Sequence, residues 1–206
     1  MTSNQPAIKG SIVAGHAEVF QKYLAKAQLS EADLLERFEP GDLATLAGPI
    51  SAVGWYDMRF YRRLLEFLRD HDGEGSNEYL VEAGQRSAEN LIRAGIYQQL
   101  EYLKRTQHVA ETTPEERSGA FGRDLRLLTS ITASIMNFTV TEVVADPDHG
   151  LRWMIRRSEA TDYPEVLCWT TLGFVNRMAE EHGSRALWRW ERPSPDLVLF
   201  RMNYDV

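Results

Sequence analysis

One cysteine, Cys168, is present among 206 residues. That excludes an internal disulfide framework, a cysteine-rich zinc site and a CxxC redox pair, and it fits a reducing, cytoplasmic setting. Glycine (14) and proline (8) are too sparse for a collagenous chain, and 43% hydrophobic content is too high for a disordered one. Lys and Arg number 23 against 30 Asp and Glu, so the net charge of −7 leaves no broad basic surface of the kind that supplies most of the affinity for nucleic acid. No nucleic-acid partner is expected. The opening residues MTSNQPAIKG lack a basic stretch followed by an apolar one, and no run of about 18 uncharged apolar residues occurs. Neither a standard secretion signal nor a membrane span is expected. What the chain does have is length, enough to bury roughly 70% of its unfolded surface around one core without a metal or disulfide staple.

Catalytic motifs are also missing. GxSxG, GxxxxGK[ST] and GxGxxG do not occur, so the serine-hydrolase, P-loop and Rossmann readings lack their backbone turns. The histidines, His16, His71, His108, His149 and His182, form no HxH, HExxH or HxxxH spacing. No catalytic residue and no metal ligand is assigned. His16 alone lies on an apolar helical stripe, where a hydrogen-bonded core or interface histidine is the plainer reading. Cys168, between Leu167 and Trp169, reads as a buried, unreactive thiol.

Periodicity gives helices first and strands last. Residues 1–8 read as a flexible tail and 9–206 as a single domain. Ile12, Val13, His16, Val19, Phe20 and Tyr23 recur at three- and four-residue spacing, an amphipathic helix to about residue 27. Ser30 and Asp33 form a short capping box, and Pro40-Gly41 ends the helix it opens, with a further turn over 42–46. Met58, Tyr61, Leu64, Leu65 and Leu68 mark a core helix over 56–70, with arginines opposite. A long helix over 78–105 contains Gly84 and Gly95, which mark close packing or a break. Thr113-Pro114-Glu115-Glu116 is a helix start. The alternation then changes to period two around Val140 and around Trp153, joined by the turn Asp146 to Gly150. A helix from Pro164 to about His182 follows, and strands around Trp188–Glu191 and Val198–Tyr204 flank a proline turn. The expected fold is α+β, an N-terminal helical layer packed on a C-terminal antiparallel sheet of β-β-α-β-β order.

Aromatic residues are the most informative feature. Trp55, Tyr61, Trp153, Trp169, Trp188 and Trp190 supply large flat surfaces that either pack a core or wall an apolar cavity between sheet and helices, and they are taken as the ligand-binding candidates. Tyr97, Leu100 and Leu103 suggest an apolar patch through which helical surfaces of two copies would join as a homodimer.

Certain segments carry a family likeness: Ile8-Lys9-Gly10-Ser11; Ala47-Gly48-Pro49-Ile50 with Gly54-Trp55-Tyr56-Asp57; Tyr61-Arg62-Arg63-Leu64-Leu65; and Glu82 to Glu89 leading to Ala94-Gly95-Ile96-Tyr97. They resemble a bacterial protein group similar to the haem nitric-oxide-binding and 4-vinyl-reductase-like domains, whose fold is shared by the Bet3-type subunits of TRAPP tethering complexes. The resemblance spans about residues 8–205. Haem-binding members carry Tyr-x-Ser-x-Arg on a strand together with a proximal histidine; in this sequence Trp153, Ile155 and Arg157 stand at the strand positions, and His108 is the histidine nearest the corresponding helical region. With only the arginine matching, haem is disfavoured and no cofactor is expected. Members like the 4-vinyl reductases carry cysteines near the final hairpin, whereas Arg189 to Leu197 contains none, so no cysteine-ligated metal is expected there. The function implied is a non-catalytic sensory or regulatory module for a small apolar or aromatic ligand. The alternatives are a protein-interaction scaffold with a filled core, engaging a protein partner, and a haem-based gas sensor.

Overall fold

The computed structural model describes residues 5–27, 29–93, 113–130, 132–181 and 183–206. Its fold is α+β. Strand β1 (Ala7–Lys9) leads into helix α1 (Gly10–Leu24), followed by α2 (Glu31–Leu35), α3 (Pro40–Ala47), β2 (Trp55–Asp57), α4 (Met58–His71) and α5 (Asn77–Arg93). Helices α6 (Pro114–Ser130) and α7 (Thr132–Ile135) precede the hairpin β3 (Val140–Ala145) and β4 (Trp153–Ser158). Helix α8 (Glu165–Glu180) then connects to the hairpin β5 (Trp188–Ser194) and β6 (Leu197–Met202).

Local chemistry accounts for most boundaries. Ser30 Oγ accepts from the Asp33 N–H at 3.2 Å while the Asp33 carboxylate accepts from the Ser30 N–H at 2.8 Å, a closed capping box at the start of α2. Asp57 caps α4 by accepting from Arg59 N–H at 2.8 Å. On α4 the stripe Met58, Tyr61, Leu64, Leu65 and Leu68 is buried as its spacing requires. It packs with Phe20 of α1 and with Phe38, and Phe67 on the same helix meets both rings edge-on or tilted at 5.2 and 5.3 Å.

Three boundaries differ from expectation. Residues 1–8 are not all tail, because Ile8 is 1% exposed and β1 pairs antiparallel with β2, Ile8 opposite Tyr56. Pro40-Gly41 does not close a helix; Pro40 occupies the first position of α3, where its missing N–H costs no helical bond. Tyr56 and Asp57 are strand, since β1 supplies an edge that periodicity along one segment does not reveal. The residues Gly95, Tyr97, Leu100 and Leu103, on which the close-packing and dimer readings partly rested, lie outside the described residues, as do His108 and His182.

The larger sheet is antiparallel throughout, in the order β3-β4-β6-β5. Helix α8 carries the chain from β4 past the neighbouring position, so β5 forms the far edge and β6 returns between them. Helices α5 and α8 cross at two glycines: a Cβ on Gly84 would lie 1.9 Å from the Thr170 carbonyl oxygen, and one on Gly173 would lie 1.9 Å from that of Val81. Gly84 therefore serves close packing and not a break. Among the described residues no helix is long and apolar enough to cross a membrane.

Candidate functional site

The sheet registers place three rows of side chains on the face that meets the helices. In the first row Trp153 and Trp188 flank Met202. Helix α6 covers them: Trp153 Nε1–H donates to the Ser118 carbonyl at 2.8 Å, and its ring occupies the space a Cβ on Gly122 would need, 2.3 Å away. Phe121 stacks over Trp188 at 6.3 Å. In the second row Ile155 and Phe200 are buried, and Trp190 meets Trp169 of α8 edge-on at 5.2 Å. The third row holds Thr141, Arg157 and Val198.

Arg157 is out of place in an apolar layer. It is 6% exposed, with its guanidinium over the Tyr163 ring at 5.0 Å and near that of Phe200 at 6.0 Å. Its Nη1 donates to Thr141 Oγ1 at 3.2 Å, yet its Nε is buried without a partner, as is Thr139 Oγ1 just ahead of β3. Among the described residues no carboxylate forms an ion pair with it. A buried, permanently charged group with an orphaned donor is costly unless an anion completes it. Tyr163 donates to or accepts from Thr171 at 2.6 Å, and burial pushes its phenol up to about 12. Cys168 lies nearby, fully buried, its thiol pushed up to about 11 by burial although Arg192 approaches it. It is therefore a neutral packing group.

A second buried polar pair sits in the helical layer. His16 Nδ1 and the Tyr61 hydroxyl are 3.1 Å apart, and the Ile12 carbonyl lies 3.4 Å from the same nitrogen. Burial lowers the His16 pKa to about 4, opposed by the Ile12 carbonyl and assisted by Arg86; burial also raises that of Tyr61. Both are neutral at pH 7. No cluster of three or more histidine, cysteine or carboxylate side chains fit for a metal ion occurs among the described residues.

Of the six aromatic candidates, the structure gathers Trp153, Trp169, Trp188 and Trp190 around the helix-facing side of the sheet. Tyr61 is in the helical layer, and Trp55 is 46% exposed on the small sheet beneath Lys9, whose Nζ lies 4.3 Å from its ring. A surface depression of about 530 Å³ lies beside the β5–β6 hairpin, lined by Thr161, Tyr163, Glu165, Arg192 and the Pro193–Pro195 turn. None of the six lines it. Sequence reasoning named Arg157 only through the family motif and passed over Thr139 and Thr141. The signal was available, because Trp153 and Ile155 alternate inward and Arg157 continues that same phase.

No protein-family model matches the chain, and no curated protein does. Solved structures do. The Fe(II) unliganded H-NOX protein from K. algicida superposes with a TM-score of 0.52 at 14% identity, and a mutant of that protein with 0.53 at 13%, each covering 97% of both chains. An H-NOX structure solved to probe haem distortion in that family gives 0.51 at 12% identity, again over 97% of both. The chain thus has the H-NOX fold. This finding corrects the expectation of no cofactor, because the solved structures that the chain resembles are described as Fe(II) and haem proteins. The described residues fit such a group at its acidic end. The orphaned Arg157 Nε and the Thr139 and Thr141 hydroxyls are donors suited to a carboxylate, whereas Trp153 and Ile155 add none. His108, the histidine nearest the helical region that carries the proximal ligand in haem-binding members, lies outside the described residues.

Proposed function

We propose that this chain is a non-catalytic sensory domain that binds a flat, largely apolar ligand through the helix-facing side of its sheet and holds an acidic group of that ligand with Arg157. Haem is the first ligand to test. When bound, haem would supply an iron centre able to take up a diatomic gas, and Arg157, with Thr139 and Thr141, would hold its propionates. The observation that carries the reading is the buried Arg157 with its unpartnered Nε. The fold shared with H-NOX domains supports it, and the four tryptophans around the same sheet face are the proposed apolar walls. A homodimer in a reducing cytoplasm belongs to the same reading.

The test is native mass spectrometry and an absorption spectrum of protein purified from cells, followed by reconstitution with haemin. Retention of an acidic aromatic ligand, or a stoichiometric Soret band, in wild type and its loss in Arg157→Met is the expected result. If neither wild type nor variant retains any ligand and the variant is less stable, Arg157 is a structural cation and the reading falls. That outcome would favour the protein-interaction scaffold, for which the tight interlock of Trp153 with Gly122 is the specific support.

A further inference from the structure

Arg63, Arg177 and Arg201 are largely buried, and each meets two or three carboxylates. Arg157 and Arg192 meet none among the described residues. In a chain of net charge −7, these two cations both touch one residue, Tyr163. Its ring lies 5.0 Å from the buried Arg157 guanidinium, and its carbonyl accepts from Arg192 Nη2. Tyr163 and Arg192 also line the depression of about 530 Å³ beside the β5–β6 hairpin, so Tyr163 stands between open surface and the unpartnered Arg157 Nε. The acid on that rim, Glu165, is held aside by Trp169 Nε1–H at 3.1 Å.

Tyr163 belongs to a strap, residues 159–164, that joins β4 to α8. The strap leaves β4 through Glu159 at φ 56, a left-handed conformation that a side chain disfavours, and continues as a single turn over Ala160–Asp162. Such a conformation persists only where its surroundings hold it. Here the β5–β6 hairpin does so: Ala160 N–H donates to the Asp196 carbonyl at 2.9 Å, and Arg192 Nη1 donates to the Ala160 carbonyl at 3.3 Å and to that of Pro195 at 2.8 Å. The clamp is therefore one guanidinium spent on neutral carbonyls. An anion offers it stronger, charge-assisted bonds.

We propose that this strap is the gate to the buried anion site. An anionic ligand meets Arg192 in the depression, draws its guanidinium off the Ala160 and Tyr163 carbonyls, and passes the displaced Tyr163 to reach Arg157. Opening also gives up the bond of the Tyr163 hydroxyl with Thr171 at 2.6 Å, so the gate is closed at rest. The inference rests on the anchoring role given to Arg157 above.

Cys168 is the reporter, because it is the single cysteine, fully buried, with its Sγ 4.0 Å from Arg192 Nη2. Its labelling in ligand-free protein is followed against urea and salt with dithiobis-nitrobenzoate, an anionic aromatic disulfide, and with uncharged dithiodipyridine. A gate gives labelling that is independent of urea below the unfolding transition, and an advantage for the anionic reagent that fades as salt rises. Arg192→Gln should label with the uncharged reagent roughly tenfold faster or more, and lose the anionic advantage. Wild-type labelling that follows global unfolding at every urea concentration, or an Arg192→Gln variant with unchanged rate and unchanged preference, overturns the gate. Should that variant fail to fold, the wild-type urea and salt dependences decide. None of these readouts needs a bound ligand, so failure to retain haemin would count against the anchoring role of Arg157 and not against the gate.

Discussion

The helical layer and the sheet each bury a polar side chain, and they handle it in opposite ways. In the helical layer, desolvation keeps His16 neutral and the Tyr61 hydroxyl satisfies its Nδ1. On the sheet, Arg157 has no neutral form to retreat to at any ordinary pH, and the surrounding layer leaves its Nε and the Thr139 hydroxyl unpartnered. A core can absorb a titratable group by shifting its protonation. It cannot do so with a guanidinium, so the sheet half keeps an unmet need for an anion that the helical half does not have.

The comparison is sharpest where the sheet half is otherwise ordinary core. Trp188 is 3% exposed and stacked on Phe121, so Trp188→Ala should destabilise the protein by roughly 3–5 kcal/mol in urea unfolding. A cost below about 1 kcal/mol would mean that the Trp188 ring is held loosely against Phe121 and contributes little to the packing of this layer. The helical half should reveal itself through pH. The folded pKa of His16, about 4, lies below its ordinary 6.5, so the unfolded chain binds the extra proton between those values. Stability is therefore full above about pH 6.5 and declines as pH falls toward 4, by about 3 kcal/mol from this group. A His16→Asn variant should lose that part of the pH dependence; an unchanged slope would show that the imidazole is accessible to solvent.

Smaller effects separate the two polar groups directly. In ligand-free protein, Arg157→Met should be neutral or stabilising by about 1 kcal/mol, because an uncompensated buried charge is replaced by an apolar side chain of similar length. A loss of more than about 1 kcal/mol in the same assay would place a compensating group beside the guanidinium and erase the contrast. Tyr61→Phe, which removes the hydroxyl that His16 uses, should cost about 1 kcal/mol by thermal unfolding and raise no new ligand requirement.

Much of the fold could be read from local spacing. The α4 stripe, the capping box at Ser30, the helix start at Pro114 and the turn after Asp146 all rest on residues within a few positions of one another, and each holds in the structure. The small sheet was missed because β1 and β2 pair across a long stretch of intervening chain, leaving each too short to show a period alone. The site was read only in part. The aromatic side chains were visible as a concentration, but which of them converge depends on β6 entering between β4 and β5 and on α8 packing over that sheet, whereas Trp55 and Tyr61 stand apart on β2 and α4.

By itself, the sequence determined the longer helices, the β-β-α-β-β order of the C-terminal half and the exclusion of disulfide and P-loop chemistry, because propensity, capping and periodicity act within a turn or two of chain. Tertiary structure alone decided that Asn176 bonds the outward backbone of Trp188 at one sheet edge, that Gly84 and Gly173 bring two helix backbones into contact, and that Arg157 is sealed among rings without a counter-ion among the described residues. Those outcomes hang on which distant segments become neighbours, and a buried charge is defined by what fails to reach it, which no single stretch of sequence records.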